Sequence, residues 1–363
     1  MYEGRPALRV HATNIVGAGA TQLVQSLLPA LERVPDVNIE EIYLPDRGGL
    51  AAYQTRSAHT RVHVYRRNLP NAVSRLLECT WLAGRFDSRT PLLVLGDLPL
   101  RCNAPQTVFV QTPHLIAESA SDTAADHVRF ATARWLFRRN AGRVRAFIVQ
   151  TSVMEAALVK EYPTLAGRVH VIAQPVPRWL LDAGIARFGR KWPTSAPLAL
   201  VYPAAQYPHK NHRLLGEIDA SESWPVARLT LTVAPERSPA PTLGWLRCVG
   251  FLQPNGMLDL YREADALLFL STDESYGFPL VEAMFVGLPI VCPDLPYART
   301  LCGDDAIYFD AMSIESLKAA VTALHDRLSA GWWPDWTSQL ASLPADWDAV
   351  AQSMARIALG SAC

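Results

Sequence analysis

Charged residues, cysteine pairs and long apolar runs are scarce in this sequence of 363 residues. Asp, Glu, Lys and Arg make up 19% of it, and 34 basic residues balance 34 acidic ones, for a formal net charge of zero. Proteins dedicated to nucleic acid are usually basic overall, so this composition argues against a nucleic-acid partner. Half of the residues are hydrophobic, which excludes a disordered chain. At about 150 residues per domain, the length suggests two domains.

Signals for metal sites, disulfide frameworks and export are missing as well. None of the six cysteines has C-x-x-C spacing, so the sequence predicts reduced thiols and no metal centre or cofactor. The first residues lack the charged and apolar regions of a signal peptide. No apolar run reaches the roughly 18 residues that are needed to cross a bilayer. We therefore expect a cytoplasmic protein that is soluble or peripheral on a membrane.

Short apolar runs alternate with amphipathic stretches along the chain. Seven runs in the first half and six in the second have the length of strands. This alternation predicts an α/β fold with two parallel sheets. A stretch with four prolines, residues 173–197, interrupts it. We therefore expect a first domain over residues 1–175, a linker over 176–197, a second domain over 198–345, and a C-terminal helix over 346–363 that crosses back to the first domain.

Ligands of such folds bind beyond the carboxyl ends of the strands. Gly17 and Gly19 follow the first predicted strand and precede a helix. Glycines there let the backbone approach an anionic ligand, and the helix start favours negative charge. The full G-x-G-x-x-G fingerprint is absent because residue 22 is Gln. An ordinary strand-to-helix turn is the alternative.

A lysine follows the first predicted strand of the second half, Leu198–Tyr202. The pattern predicts a helix over 211–220 with Asn211 as its N-cap. Lys210 would then stand at a helix start, where the dipole disfavours a cation, and a bound phosphate would remove that conflict. A solvated loop lysine is the alternative.

Two glutamates flank a turn after the predicted strand Ala266–Leu270. Glu274 precedes the segment Tyr276-Gly277-Phe278-Pro279, and Glu282 follows with seven residues between the two carboxylates. Gly277 permits a tight turn, and proline suits the first turn of a helix. Carboxylates accept bidentate hydrogen bonds, here from vicinal hydroxyls, and N–H groups at the helix start can hold phosphate oxygens. A helix cap with two solvated glutamates is the alternative.

With its internal Gly-Phe-Pro, this segment resembles the E-x7-E motif of the retaining glycosyltransferases of family four. That family has the GT-B fold, in which two facing Rossmann-like domains enclose a ligand cleft. The resemblance is specific over residues 198–325, where the segment around Lys210 also matches, and looser over 1–175.

The resemblance implies a role for each matching residue. Glu282 would hold the nucleotide ribose, Glu274 the donor sugar, and Lys210 the diphosphate leaving group. Backbone near the sugar and phosphates would come from Tyr276, Gly277, Phe278 and Pro279, and backbone near the donor phosphate or acceptor from Gly17 and Gly19. His114 resembles the histidine near the reacting sugar, with a loop or core histidine as the alternative. The implied catalytic set is His114, Lys210 and Glu274.

One position departs from the family pattern. Relatives usually carry an arginine five or six residues before the lysine, where this chain has Ala204 and Ala205. Either His209 or Arg213 substitutes for that arginine, or the diphosphate contact is weaker. The departure puts donor affinity in doubt more than it does the fold.

The resemblance implies transfer of a sugar from a nucleotide-diphosphate sugar to an acceptor hydroxyl with retention and without a metal. The acceptor would be a sugar or a polyprenyl-linked glycan, and the setting bacterial surface polysaccharide synthesis: O-antigen, capsule or exopolysaccharide. The enzyme would be a hexosyltransferase, with mannose or a deoxysugar as the favoured donor sugar. A GT-B sugar-nucleotide epimerase and a catalytically silent sugar-nucleotide-binding subunit are the alternatives.

A basic stretch in the first half predicts peripheral contact with an anionic membrane. Residues 129–145 hold six arginines and no acid, interleaved with Phe130, Trp135 and Phe137. The predicted helix 71–85 is also basic and carries Trp81. Basic amphipathic helices with aromatic residues can lie on anionic membranes. A solvated arginine face with its aromatics in the core is the alternative.

Overall fold

The apolar runs of both halves form parallel sheets in a computed structural model, as the alternation predicts. It describes residues 5–15, 17–66, 69, 71–116, 124–185, 196–219 and 224–360. Val16 in the glycine segment and residues 186–195 of the expected linker lie outside that set. The strands are β1 Ala7–His11, β2 Asn38–Pro45, β3 Arg61–Tyr65, β4 Leu92–Val94, β5 Gln106–Phe109, β6 Val144–Val149, β7 Val169–Val171, β8 Leu198–Tyr202, β9 Val226–Leu231, β10 Leu246–Cys248, β11 Ala266–Leu268, β12 Ile290–Pro293 and β13 Ile307–Phe309.

Both sheets have the strand order of a doubly wound fold. The first runs β3-β2-β1-β4-β5-β6-β7 and the second β10-β9-β8-β11-β12-β13. The order reverses between β1 and β4 in the first sheet and between β8 and β11 in the second. Ligands of open parallel sheets bind at the carboxyl ends beside such a reversal. The predicted α/β fold class is therefore confirmed, and each sheet offers one place for a site.

Helices connect these strands. They are α1 Ala18–Leu31, α2 Asn71–Cys79, α3 Ala124–Asn140, α4 Ser152–Glu161, α5 Arg178–Asp182, α6 Pro254–Glu263, α7 Phe278–Val286, α8 Pro296–Cys302, α9 Ile314–Ser329, α10 Thr337–Ala341 and α11 Trp347–Leu359. The short helices α5, α8 and α10 were not predicted, because five to seven residues are too few to display a helical period.

One predicted helix is shorter in the structure than the sequence indicates. The expected helix 71–85 ends at Cys79, and residues 83–86 form a separate 3₁₀ turn. The Cys79 carbonyl accepts hydrogen bonds from the Asn140 side chain at 3.1 Å and from the Arg101 N–H at 3.1 Å. These tertiary donors take the place of the N–H group that would continue the helix.

The predicted helix 211–220 is wrong. Residues Pro208–Lys210 and His212–Glu217 form two 3₁₀ turns joined at Asn211, which adopts a left-handed conformation with φ 52°. Its side chain does not cap a helix but donates to the Ala311 carbonyl at 2.9 Å. Lys210 therefore lies in a turn before this junction and not at a helix start.

The chain divides into two units. Unit 1 comprises the described residues up to Pro175 and from Pro344 onward, and unit 2 comprises those of Val176–Leu343. Helix α11 packs within unit 1, where the Arg33 side chain donates to Asp348 at 3.0 Å and Arg145 donates to the Ile357 carbonyl at 3.2 Å. Arg145 thereby caps the carboxyl end of α11, where a cation complements the helix dipole.

Candidate functional site in unit 2

Lys210 lies beyond the carboxyl end of β8, beside the reversal of the strand order. Its 3₁₀ turn is held by the last residue of that strand, because the Tyr202 hydroxyl donates to the Lys210 carbonyl at 2.9 Å. The neighbouring His209 carbonyl accepts from the Thr272 N–H at 2.7 Å and from the Ser271 hydroxyl at 3.1 Å. The segment after β8 is thereby fixed to the segment after β11.

The Lys210 ammonium group forms an ion pair with the Glu274 carboxylate. Only 15% of the lysine side chain and 13% of the glutamate side chain are exposed. The ammonium group also lies 5.9 Å from the centre of the Phe269 ring. The two residues that the sequence predicts on separate loops therefore meet at one point of the sheet edge.

Gly277 shapes the turn between Glu274 and α7. It has φ 91°, in the left-handed region, and a Cβ there would lie 3.2 Å from Leu280 Cδ1. Both facts require glycine. The Tyr276 side chain is buried and meets the Phe278 ring edge-on, with ring centres 5.3 Å apart. With Pro279 in its first turn, α7 begins at this point and turns its N-terminal N–H groups towards the same edge.

Glu282 lies one turn into α7 and is buried. The Tyr261 hydroxyl donates to its Oε2 at 2.6 Å. Burial raises the pKa of Glu282 to about 7, although hydrogen bonds from Tyr261 and Trp179 favour the charged form. The predicted alternative of a solvated glutamate is wrong for this residue. Sequence reasoning assigns no role to Tyr261 or Trp179, because neither stands at a regular spacing from Glu282.

We expect Glu282→Gln to stabilise the ligand-free protein above pH 7. The folded-state pKa of about 7 exceeds the ordinary value of 4.5, so the native state binds the extra proton between these values and stability falls as pH rises through them. Glutamine keeps an acceptor for Tyr261 and carries no charge. The gain approaches about 3 kcal/mol at pH 8 and vanishes near pH 4.5. Urea unfolding at both pH values measures it, and an equal difference at the two would contradict it.

The basic residues beside Lys210 lie against other groups. Arg213 donates to Asn211 Oδ1 at 3.4 Å and lies 4.0 Å from the Met312 sulfur. The His209 ring stacks on Tyr207, with ring centres 5.6 Å apart. Burial and nearby Lys210 lower the pKa of His212 to about 4, which leaves it neutral at pH 7. In the described part of the chain, the ion-pair partner of Glu274 is Lys210.

The remaining predicted residues lie in unit 1. Gly17, with φ 99°, precedes α1, and the missing side chain of Gly19 faces open space. His114 lies in a 3₁₀ turn after β5, is 8% exposed, and stacks on Phe130 with ring centres 4.4 Å apart. Its carbonyl accepts from Arg134 at 3.2 Å. All three follow carboxyl ends of strands, as the sequence predicts.

Unit 1 has a half-buried carboxyl group beside its own strand reversal. Asp97 follows β4 with φ 67° and accepts from the Gln111 N–H at 2.6 Å and the Thr112 hydroxyl at 2.9 Å. Burial raises the pKa of Asp97. A Cβ on Gly96 would lie 2.5 Å from the Asn14 Cβ, so glycine is required where the segments after β1 and β4 approach each other. The sequence did not assign Asp97 a role.

Within the described residues, no group of three or more His, Cys, Asp or Glu side chains is placed to hold a metal ion. In the same part of the chain, no helix combines the length and the hydropathy that crossing a membrane requires.

Comparisons with known proteins connect this site to one family. Residues 246–327, which include Glu274 and Glu282, match the family model described as glycosyl transferases group 1. The chain is 28% identical over 78 residues to the O-antigen chain mannosyltransferase B of Escherichia coli, and 28% identical over 112 residues to the serotype-specific mannosyltransferase WbdA of the same organism. These matches cover 22% and 31% of this chain but only 20% and 13% of the relatives.

Solved structures share the fold over nearly the whole chain. Sucrose-phosphate synthase from Thermosynechococcus elongatus has a TM-score of 0.65 at 15% identity, covering 97% of this chain and 98% of that one. Anabaena Alr3699/HepE, solved with UDP and glucose, has a TM-score of 0.55 at 14% identity, covering 97% and 95%. Residues 246–327 are therefore similar to the glycosyl transferases of group 1, and the fold of the chain is that of these solved structures.

Proposed function

We propose that this protein moves a sugar from a nucleotide-diphosphate sugar to an acceptor hydroxyl with retention of configuration. The observation that carries the proposal is the arrangement at the strand reversal of unit 2. A shielded cation, Lys210, meets a carboxylate, Glu274, beside a glycine turn and a helix start, and a second, buried carboxylate, Glu282, lies one turn further on. Cation, N–H groups and carboxylates match the three parts of such a donor: diphosphate, sugar and ribose.

Each group has a distinct part in the proposed reaction. Lys210 and the first-turn N–H groups of α7 neutralise the departing diphosphate, as preorganised charges do at a developing anion. Glu274 exchanges its contact with Lys210 for the hydroxyls of the donor sugar. Glu282 accepts from the ribose, since a carboxylate has about four acceptor positions and Tyr261 and Trp179 occupy part of them. Neither glutamate acts as a nucleophile or general base, and no metal takes part.

Two comparisons support the choice of substrates. Alr3699/HepE, which shares the fold, was solved with UDP-glucose, and the relatives in sequence are an O-antigen chain mannosyltransferase and a serotype-specific mannosyltransferase. We propose a hexosyltransferase of bacterial surface polysaccharide synthesis, with a mannosyl or deoxysugar donor. Gly17 and Gly19 would bring backbone to the donor phosphate or the acceptor, and His114 would lie near the reacting sugar. The acceptor would be a sugar or a polyprenyl-linked glycan.

Binding and turnover test the proposal in sequence. A thermal-shift panel of UDP, GDP, ADP, CDP and TDP identifies the base, since a ligand at 100 times its Kd adds about 2.7 kcal/mol of stability. The matching nucleotide-sugars are then incubated with and without saccharide acceptors. Nucleotide release that requires an acceptor, with the anomeric configuration retained by NMR, is expected. Donor conversion without an acceptor would indicate an epimerase, and tight binding without turnover a silent subunit.

We further propose that unit 1 rests on the inner face of the cytoplasmic membrane. In α2 and the residues after it, Val73, Leu76, Trp81 and Leu82 are exposed, with Trp81 at 83%. In α3, Trp135 is 49% exposed under the Arg139 guanidinium, while Phe137 is buried. Exposed aromatic and aliphatic side chains among arginines favour an anionic surface, with each cation near it adding about 1 kcal/mol.

Vesicle co-sedimentation tests this contact. We expect the protein to bind vesicles that contain anionic lipid at low salt and to dissociate at high salt, because screening weakens surface attraction. Replacing Arg138 and Arg139 with glutamate should abolish binding. Arg228→Glu and Arg262→Glu in unit 2 serve as controls of equal charge change. Absence of binding at low salt, or equal binding by the Arg138/Arg139 variant, would contradict the contact.

A further inference from the structure

A cavity of about 400 Å³ lies on one face of the unit 1 sheet, between β1–β3 and residues 85–88. Its lining includes Arg9, Glu41 and Arg61, which stand early or midway in their strands. It therefore differs from the carboxyl-end positions of Gly17 and His114. Its volume lies within the usual range of small-molecule sites.

A β-bulge directs two consecutive carboxylates into this cavity. Leu8 pairs with Ile39 and Arg9 pairs with Glu41, so Glu40 is an extra residue in β2. Successive side chains of a regular strand point to opposite faces, and a bulge re-aims them. Both Glu40 and Glu41 consequently line the same cavity.

The charged groups of the lining are matched in number, and Glu41 contacts two of the arginines. Glu41 lies 2.8 Å from the Arg61 guanidinium and 3.9 Å from that of Arg9. Arg9 is 3% exposed and donates to the Phe86 carbonyl at 2.8 Å, yet its Nε has no hydrogen-bond partner among the described residues. An unpaired donor in a buried guanidinium is costly and calls for an explanation.

Aromatic rings supply the apolar part of the wall. The His63 ring stacks on Tyr43 with centres 5.0 Å apart, and the Arg85 guanidinium lies 5.0 Å from the centre of the Tyr65 ring. The His63 side chain remains 40% exposed beside these charged groups.

We propose that this cavity binds a neutral saccharide unit. Sugar hydroxyls donate to carboxylates and accept from guanidinium groups at once, and the C–H face of a pyranose fits against the exposed part of the His63 ring. An anion would meet Glu40, Glu41 and Asp87, and a cation would meet three arginines. The inference goes beyond the proposed transfer reaction, because it involves no nucleotide and no residue of the Lys210 site.

The test uses the full chain and the methyl α-glycosides of mannose, glucose and galactose, with a neutral mannose trisaccharide. Saturation-transfer NMR detects contact, and titration gives Kd. We expect Glu40→Ala and Arg85→Ala to weaken the bound saccharide about tenfold or more, the loss of a hydrogen bond to a charged group. Glu236→Ala and Arg237→Ala, exposed residues of unit 2, are the matched controls.

Two further measurements distinguish this cavity from the Lys210 site and show that the variants are folded. Lys210→Ala should retain saccharide binding, so failure of the transfer reaction leaves this proposal intact. Circular dichroism confirms that Glu40→Ala and Arg85→Ala fold. The proposal would be overturned if no saccharide contact were detected, or if Glu40→Ala and Arg85→Ala bound the saccharide with the wild-type affinity. Loss of saccharide binding in Lys210→Ala alone would also overturn it, as would displacement of the saccharide from this cavity by inorganic phosphate or MgCl2.

Discussion

Replacing Lys210 with alanine is expected to lower kcat by about 10²–10³-fold, the usual loss when one preorganised group at a developing anion is removed. The Lys210 ammonium group is the cation that the described residues pair with Glu274, and His212 beside it stays neutral. His212 therefore cannot replace that charge. Initial rates at saturating donor and acceptor measure the effect.

Conservative variants separate this catalytic role from a structural one. Because the pair with Glu274 is mostly shielded from water, Lys210→Ala should also lower the melting temperature modestly. Lys210→Arg keeps the charge and should restore part of the rate, whereas Lys210→Gln keeps a hydrogen-bond donor for Glu274 and should not. Lys160→Ala, an exposed lysine of unit 1, controls for nonspecific loss. A Lys210→Gln enzyme with the wild-type rate would show that the lysine is structural.

Glu282→Ala is expected to weaken nucleoside diphosphate binding by roughly 10–150-fold. That range corresponds to about 1.5–3 kcal/mol, the contribution of a hydrogen bond to a charged group. Calorimetry at pH 8 is the measurement, since Glu282 is ionised above its pKa of about 7. Unchanged affinity in a folded variant would contradict the ribose assignment.

The pH dependence of the same binding provides the control. In the wild type, affinity should rise between pH 6 and pH 8 as Glu282 loses its proton and both oxygens become acceptors. Glu282→Gln cannot titrate, so its affinity should change only as far as the nucleotide phosphate itself titrates. Identical pH profiles for the two proteins would mean that Glu282 does not touch the ligand.

The burial of Glu282 indicates a functional role and not a stabilising one. A carboxylate with a pKa near 7 weakens the folded protein at neutral pH, and a neutral glutamine would not. Strongly perturbed groups of this kind cluster at functional sites. The expected stability gain of Glu282→Gln and the expected loss of affinity in Glu282→Ala therefore describe one trade-off between stability and binding.

Local patterns in the sequence were sufficient for the two sheets and for the turn at Gly277. Runs such as Leu198–Tyr202 record burial within a single element, and the strands formed with small shifts at their ends. Gly277 and Pro279 record a backbone requirement within four residues. Both kinds of signal are local, so they can be interpreted without knowing which other elements pack against these residues.

Only the tertiary structure decided what surrounds each functional side chain. The Lys210–Glu274 pair joins residues 64 positions apart, and Glu282 takes its raised pKa from burial and from partners on α5 and α6. The Asn211 side chain bonds to the carbonyl of Ala311, 100 positions away, and so does not cap the predicted helix 211–220. The bulge at Glu40 depends on the register of β1 against β2. Hydrophobic period reports which face of an element is buried, but hydrogen-bond partners, pKa values and cavities depend on which other elements reach that face.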